Sequence, residues 1–131
     1  MRTSRKPAPG EKPLIWVGAS KRDLLAVPEA VIRHLGGALG VAQYGGKHPD
    51  AKPWKGLGPG VFEVVSDFES NTFRAAYVVR FERAIYVLHC FQKKPPSGIR
   101  TARPDVELIE RRLKAAQSDY KVRYGQASQE S

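Results

Sequence analysis

Residues 61–94 read VFEVVSDFESNTFRAAYVVRFERAIYVLHCFQKK, three apolar-rich runs joined by links too short to hold a crossover helix. The runs, near Val61–Phe68, Phe73–Phe81 and Ala84–Gln92, read as strands, and strands joined so closely must double back on one another. An antiparallel meander is therefore the expected centre of the fold. Successive strand residues point to opposite faces. Phe62, Val64 and Phe68 share one face, and Glu63 lies on the other with Val61, Val65 and Asp67. Phe73, Tyr77, Val79 and Phe81 form an apolar face whose reverse carries Arg74, Val78 and Arg80. Glu63 and Arg74 are thereby expected together on the helix-free face of the sheet. The third run stops at Lys93-Lys94-Pro95, so two cations sit at the end of a rigid element, a placement that suits phosphate better than a core. Only one of them can face Arg74. Alternation groups Lys93 with His89 and Phe91, and Lys94 with Cys90 and Gln92, without saying which group shares Arg74's face.

Outward from the meander, Leu14-Ile15-Trp16-Val17 reads as a short strand broken by Gly18. Ser20 and Asp23 have the spacing of a helix N-cap and its acidic N3 partner, which predicts a brief helix to about Ala26. Pro28 suits the first position of a second helix, because its missing N–H would be unpaired there anyway. Val31, Leu35, Ala38 and Ala42 recur at helical spacing and predict one stripe against the sheet. Gly36, Gly37 and Gly40 in that helix suggest a close approach to the sheet, and Gly45-Gly46 ends it. A polar loop then carries Lys47, His48, Pro49, Asp50, Lys52 and Pro53 into the Trp54–Gly60 segment. Val106, Ile109, Leu113, Ala116 and Tyr120 predict a last helix over about Pro104–Tyr124, free either to cover its own sheet or to serve a partner. Residues 1–12 read as a disordered basic lead-in, 13–124 as one α+β domain and 125–131 as a disordered tail.

With 131 residues, 41% of them hydrophobic, the chain can build one core. Its formal charge of +9 and pI near 9.9 favour a polyanionic partner. The single Cys90 excludes an internal disulfide or a multi-cysteine zinc site, and it reads as a core residue in a reducing cytoplasm. The longest mostly apolar run, Ala84–Phe91, is far short of the roughly 20 residues of a spanning helix. The basic N-terminus lacks the apolar stretch of a signal peptide.

Three segments in order carry a family resemblance: Lys52-Pro53-Trp54-Lys55-Gly56-Leu57-Gly58-Pro59-Gly60-Val61-Phe62-Glu63-Val64-Val65, Thr72-Phe73-Arg74-Ala75-Ala76-Tyr77, and Tyr86-Val87-Leu88-His89-Cys90-Phe91-Gln92-Lys93-Lys94. Together they resemble the phage-derived HigB-type branch of the RelE/ParE toxin superfamily, over about Leu14–Ala116. The resemblance implies a small α+β fold, with an antiparallel sheet on two N-terminal helices and a C-terminal helix. It further implies a cytoplasmic toxin of a type II toxin–antitoxin pair, with a neighbouring helix-turn-helix antitoxin through which alone it would meet DNA. Members of the RelE and HigB branches cleave mRNA on the ribosome, whereas ParE members inhibit gyrase. The sequence departs from its relatives at Trp54, at Cys90 and in the position of Pro104, none of them a charged site position.

For mRNA cleavage, the expected step is attack of an RNA 2′-hydroxyl on the adjacent phosphate, which requires no metal or cofactor. Arg74 is the candidate transition-state clamp, since a guanidinium can hold two phosphate oxygens. Lys93 and Lys94 are candidate phosphate binders, one of them a candidate proton donor. Glu63 and Lys55 complete the expected catalytic set. Glu63 could accept a proton or merely hold Arg74, and His48 and His89 are further acid–base candidates. His89 also reads as a core histidine, and His34 has no assigned role. Lys47, Lys52, Arg100 and Arg103 are expected to contact nucleic-acid backbone, with Trp54 and Phe91 as stacking candidates that equally fit a core. A gyrase inhibitor and a noncatalytic RNA-binding module remain open on the same residues.

Overall fold

The meander read from the sequence is the centre of a larger sheet. The computed structural model describes residues 1–3, 5–93 and 101–129. The strands are β1 (Arg2–Thr3), β2 (Leu14–Trp16), β3 (Ala51–Pro53), β4 (Val61–Phe68), β5 (Asn71–Val78) and β6 (Ile85–Lys93). The helices are α1 (Ser20–Leu25), α2 (Glu29–Gln43) and α3 (Arg103–Gln129), the last interrupted at Gly125, where φ is 83°. The spatial order is β1-β2-β6-β5-β4-β3. Every neighbouring pair is antiparallel except β2 with β6, which run parallel.

Both faces of the centre are covered. On one side α1 and α2 bring Leu24, Val31, Leu35, Leu39 and Ala42 against Val64, Phe73, Tyr77, Ile85 and Val87. On the other, Ile109, Leu113, Ala116 and Tyr120 of α3 pack on Val61, Ala76, Val78, Tyr86, Leu88 and Phe91. The last helix therefore covers its own sheet, and Glu63 and Arg74 lie on the α3 face rather than on a helix-free one. Buried on both sides, β6 reads as a nearly continuous apolar run, as central strands do.

A bulge in β6 decides its faces. Ala76 opposes His89 but Tyr77 opposes Val87, so Leu88 is an extra residue. Before it, Ile85 and Val87 face the α2 side. After it, Cys90 faces that side, while His89, Phe91 and Lys93 turn to the α3 side with Arg74. The Leu88 carbonyl accepts a hydrogen bond of 2.9 Å from Arg112 of α3. That bond gives the irregular stretch a partner outside the ladder.

Several expectations need correction. Ser20 is not a capping residue: Ala19 occupies the N-cap position, and the buried Ser20 hydroxyl donates to Val87 O at 3.1 Å. Pro28 sits just before α2 rather than within it. The polar loop contains β3, an edge strand too short to show a period, whose Lys52 and Pro53 suit an unpaired edge. Strand β5 ends at Val78, so alternation stops there, and Phe81 leaves Tyr77's face to stack on Tyr120 with ring centroids 4.8 Å apart. In the expected lead-in, Arg2–Thr3 pairs with Ile15 and Trp16, and the buried Glu11 carboxylate accepts from both Arg5 nitrogens at 2.7–2.8 Å. No close approach explains Gly36, Gly37 or Gly40, since a Cβ at each would meet nothing within 4 Å.

The β4–β5 hairpin turns through Glu69 and Ser70, both at positive φ (49° and 68°), which is the geometry of a two-residue type I′ turn built without glycine. In α2 the mismatch is opposite, with the exposed Gly37 where alanine would be better. Ser70→Gly and Gly37→Ala should each raise unfolding free energy by about 0.5–1 kcal/mol, read from urea midpoints.

Candidate active site

Four strands deliver charged side chains to one end of the α3 face. Lys52 of β3 opposes Glu63 of β4, and Glu63 in turn opposes Ala76 of β5. Arg74 opposes Val65 and Phe91, so Glu63 and Arg74 meet diagonally across the β4–β5 pair. The small Ala76 side chain beside Arg74 leaves the diagonal open. Arg74 Nη1 donates to Glu63 Oε1 at 2.5 Å, with both side chains about nine-tenths buried.

Arg74 is only partly satisfied by that bond. Its Nε is buried and has no hydrogen-bond partner among the described residues. Such a donor normally finds a partner, because leaving one unpaired costs roughly 1–3 kcal/mol. The pair lines a cavity of about 510 Å³ with Lys52, Pro53, Trp54, Lys55, Thr101 and Val106. Two lysines, a buried guanidinium and one carboxylate make this cavity net cationic.

Lys55 reaches the cavity from a pinned loop. The Trp54 N–H donates to Val61 O at 2.8 Å and closes residues 55–60. Arg80 reaches back to Pro59 O at 3.0 Å and Leu57 O at 2.5 Å. Gly60 has φ of 81°, and a Cβ there would fall 2.7 Å from Arg80 Cβ, so glycine permits this approach. Lys55 is thus carried by an anchored loop while its own side chain stays exposed.

Lys93 enters from β6. It is 9% exposed, and its ammonium is held below the ordinary lysine pKa by desolvation first and then by the charge of Arg74, with Glu63 opposing the shift. A second cavity of about 360 Å³ is bordered by Phe91, Gln92, Lys93, Ala102, Pro104 and Asp105. His89, on the same face, bonds Asp105 Oδ1 through Nε2 at 2.7 Å, while its buried Nδ1 has no partner among the described residues. The His89 ring stacks on Phe91 at 4.5 Å between centroids.

The structure thus brings together Lys52, Lys55, Glu63 and Arg74 around one cavity, with Lys93 close enough to feel Arg74 and Glu63. Lys94 and Arg100 lie outside the described residues. Lys47 is exposed, and Arg103 is an exposed cation 3.7 Å from Glu107. His48 belongs to a separate cluster: its Nδ1 accepts from the Asp50 N–H at 3.0 Å, and Asp50 bonds His34. Trp54 and Phe91 belong to the α3-side core, although Trp54 also shows an edge to the cavity. Asp105 was not anticipated as a site residue. Its place after Pro104 at the start of the last helix marked it as acidic in a first turn, but not as a partner of His89.

Residues 22–114 match the family described as phage derived protein Gp49-like (DUF891). The chain belongs to this Gp49-like family. The match covers most of the chain and every described residue of the cavity, and the family is associated with toxin–antitoxin systems. No curated protein and no solved structure matches the chain. No helix among the described residues is long and apolar enough to cross a membrane.

Two outcomes follow for this Gp49-like protein. Arg74→Ala would leave the Glu63 carboxylate buried and unpaired, so it should lower unfolding free energy by about 3 kcal/mol. Glu63→Leu with Arg74→Met should cost far less, as urea unfolding of the double-mutant cycle would show. Cys90, held near a pKa of about 12 by burial and then by the charge of Asp23, stays a neutral thiol in the folded protein. Iodoacetamide at pH 8 should alkylate it only after denaturation.

Proposed function

We propose that this Gp49-like protein is the toxin of a toxin–antitoxin pair and cleaves mRNA on the ribosome. The observation that carries the reading is Arg74, a guanidinium held by Glu63 at the wall of a cationic cavity, with a buried Nε that has no partner among the described residues. Preorganised donors of this kind favour charge developing on a phosphoryl group.

In the proposed step, the RNA 2′-oxygen forms a bond to the adjacent phosphorus and the P–O5′ bond breaks. A 2′,3′-cyclic phosphate and a free 5′-hydroxyl result. Arg74 holds the nonbridging oxygens of the transition state. Lys93, whose lowered pKa eases release of a proton, protonates the departing 5′-oxygen. Lys52 and Lys55 hold flanking phosphates. The 2′-proton passes to one of two acceptors on this face, Glu63 or His89, and single-turnover rates of Glu63→Gln and His89→Gln identify which. Family membership supports a cognate antitoxin as the neutralising partner.

Induced expression should arrest growth and leave codon-positioned 5′ ends on mRNA. Arg74→Lys keeps a cation opposite Glu63 but loses the two-pronged donor geometry, so cleavage on purified ribosomes should fall roughly 100-fold or more. Retained cleavage would remove the clamp. Intact mRNA with blocked supercoiling would favour a gyrase inhibitor, and ribosome binding without cleavage would favour a noncatalytic module.

A further inference from the structure

A second group of chemistry-bearing residues lies away from the cavity. His34 of α2, His48 and Asp50 place one ligand atom each within 4.8 Å of one another. His34 Nε2 is 2.7 Å from Asp50 Oδ2, and His48 Nδ1 is 3.9 Å from the same oxygen. The two imidazole rings are 5.5 Å apart between centroids.

We propose that His34, His48 and Asp50 form a binding site for a divalent zinc-type cation. Two imidazoles and one carboxylate are a donor set that suits zinc and leaves a fourth position open. With metal–ligand bonds near 2.0–2.1 Å, tetrahedral ligand atoms lie about 3.3 Å apart. The His34–Asp50 separation therefore opens by about 0.6 Å and the His48–Asp50 separation closes by about the same amount. Asp50 is exposed and both histidines are partly exposed, so side-chain rotation supplies such shifts.

The surroundings prepare both imidazoles. His34 Nδ1 lies 2.7 Å from the hydroxyl of Ser66, a residue that is 3% exposed on β4. When the metal replaces the proton on Nε2, Nδ1–H donates to Ser66 Oγ, the outer-shell bond that fixes a ligating histidine's tautomer and orientation. His48 accepts the Asp50 N–H at Nδ1, so that nitrogen already carries a lone pair rather than a proton. The metal takes that lone pair, and the exposed Asp50 N–H turns to water. A pair of histidines needed only to bridge α2 to a loop would not require this second, inward partner for His34.

Occupancy would tie the loop ahead of β3 to α2 and β4. Lys52, two residues beyond Asp50 and opposite Glu63, would be steadied with it. The site is therefore a stabilising clamp whose metal takes no part in the chemistry proposed for the cavity.

Untagged full-length protein, stripped with a chelator, is titrated with Zn²⁺ in competition with a chromogenic chelator, and separately with Co²⁺. One ion per chain should bind, with visible cobalt bands and no thiolate charge-transfer band. Zn²⁺ should also raise the melting temperature. Ser66→Ala should weaken binding about 10–100-fold, and His34→Gln or His48→Gln should weaken it further. Asp50→Asn alters an exposed side chain, so its folding is not at issue, and it too should lose the cobalt bands. Absence of saturable uptake, or uptake retained in His34→Gln and Asp50→Asn, overturns the site.

Discussion

Burial of β5 and β6 on both faces is the constraint on which the rest depends. A one-residue slip exchanges the faces of every side chain, so strands packed between two layers have their register fixed by what each layer must receive. Here α1 and α2 occupy one side and α3 the other. The Leu88 bulge makes the two coverings compatible by inserting a single residue, so Tyr86 and Phe91 can both meet α3 although their sequence parity differs. Arg112 ties the bulge to α3 through the Leu88 carbonyl. The packing of the helix and the irregularity of the strand therefore support each other.

The same device assembles the charged site. Past the bulge, His89, Phe91 and Lys93 point to the face that holds Glu63 and Arg74. Close cations repel, and the burial of Arg74 and Lys93 is tolerable because Glu63 sits among them and the cavity opens to solvent. The result is a cation-rich pocket whose buried Arg74 Nε lacks a partner among the described residues, an arrangement more costly to folding than an apolar filling would be. Local costs of this kind are expected where a site must hold charge in a fixed place.

Much of this was legible in residues 61–94. Strand periods, short links and the shared face of Glu63 and Arg74 come from local alternation, and they reappear as β4, β5 and their ion pair. The stripe of the last helix was equally clear, since Ile109, Leu113, Ala116 and Tyr120 all become buried. Less visible was β3, where Ala51-Lys52-Pro53 is too brief to have a period and becomes a strand only because β4 offers an edge. Ser20 looked like a cap, yet a buried carbonyl of β6 claimed its hydroxyl. His34 and Asp105 carried no local signal, because their hydrogen-bond partners lie 16–32 residues away in sequence.

By itself the sequence determined the α+β class, the antiparallel meander and the presence of a carboxylate–guanidinium pair near a cationic strand end. Those are consequences of spacing, and spacing is local. Only the tertiary structure decided that α3 closes the site's face and that Lys93 turns to the face of Arg74. A bulge shifts parity by one residue without any compositional mark, and its position is set by what both sides of the strand must bury.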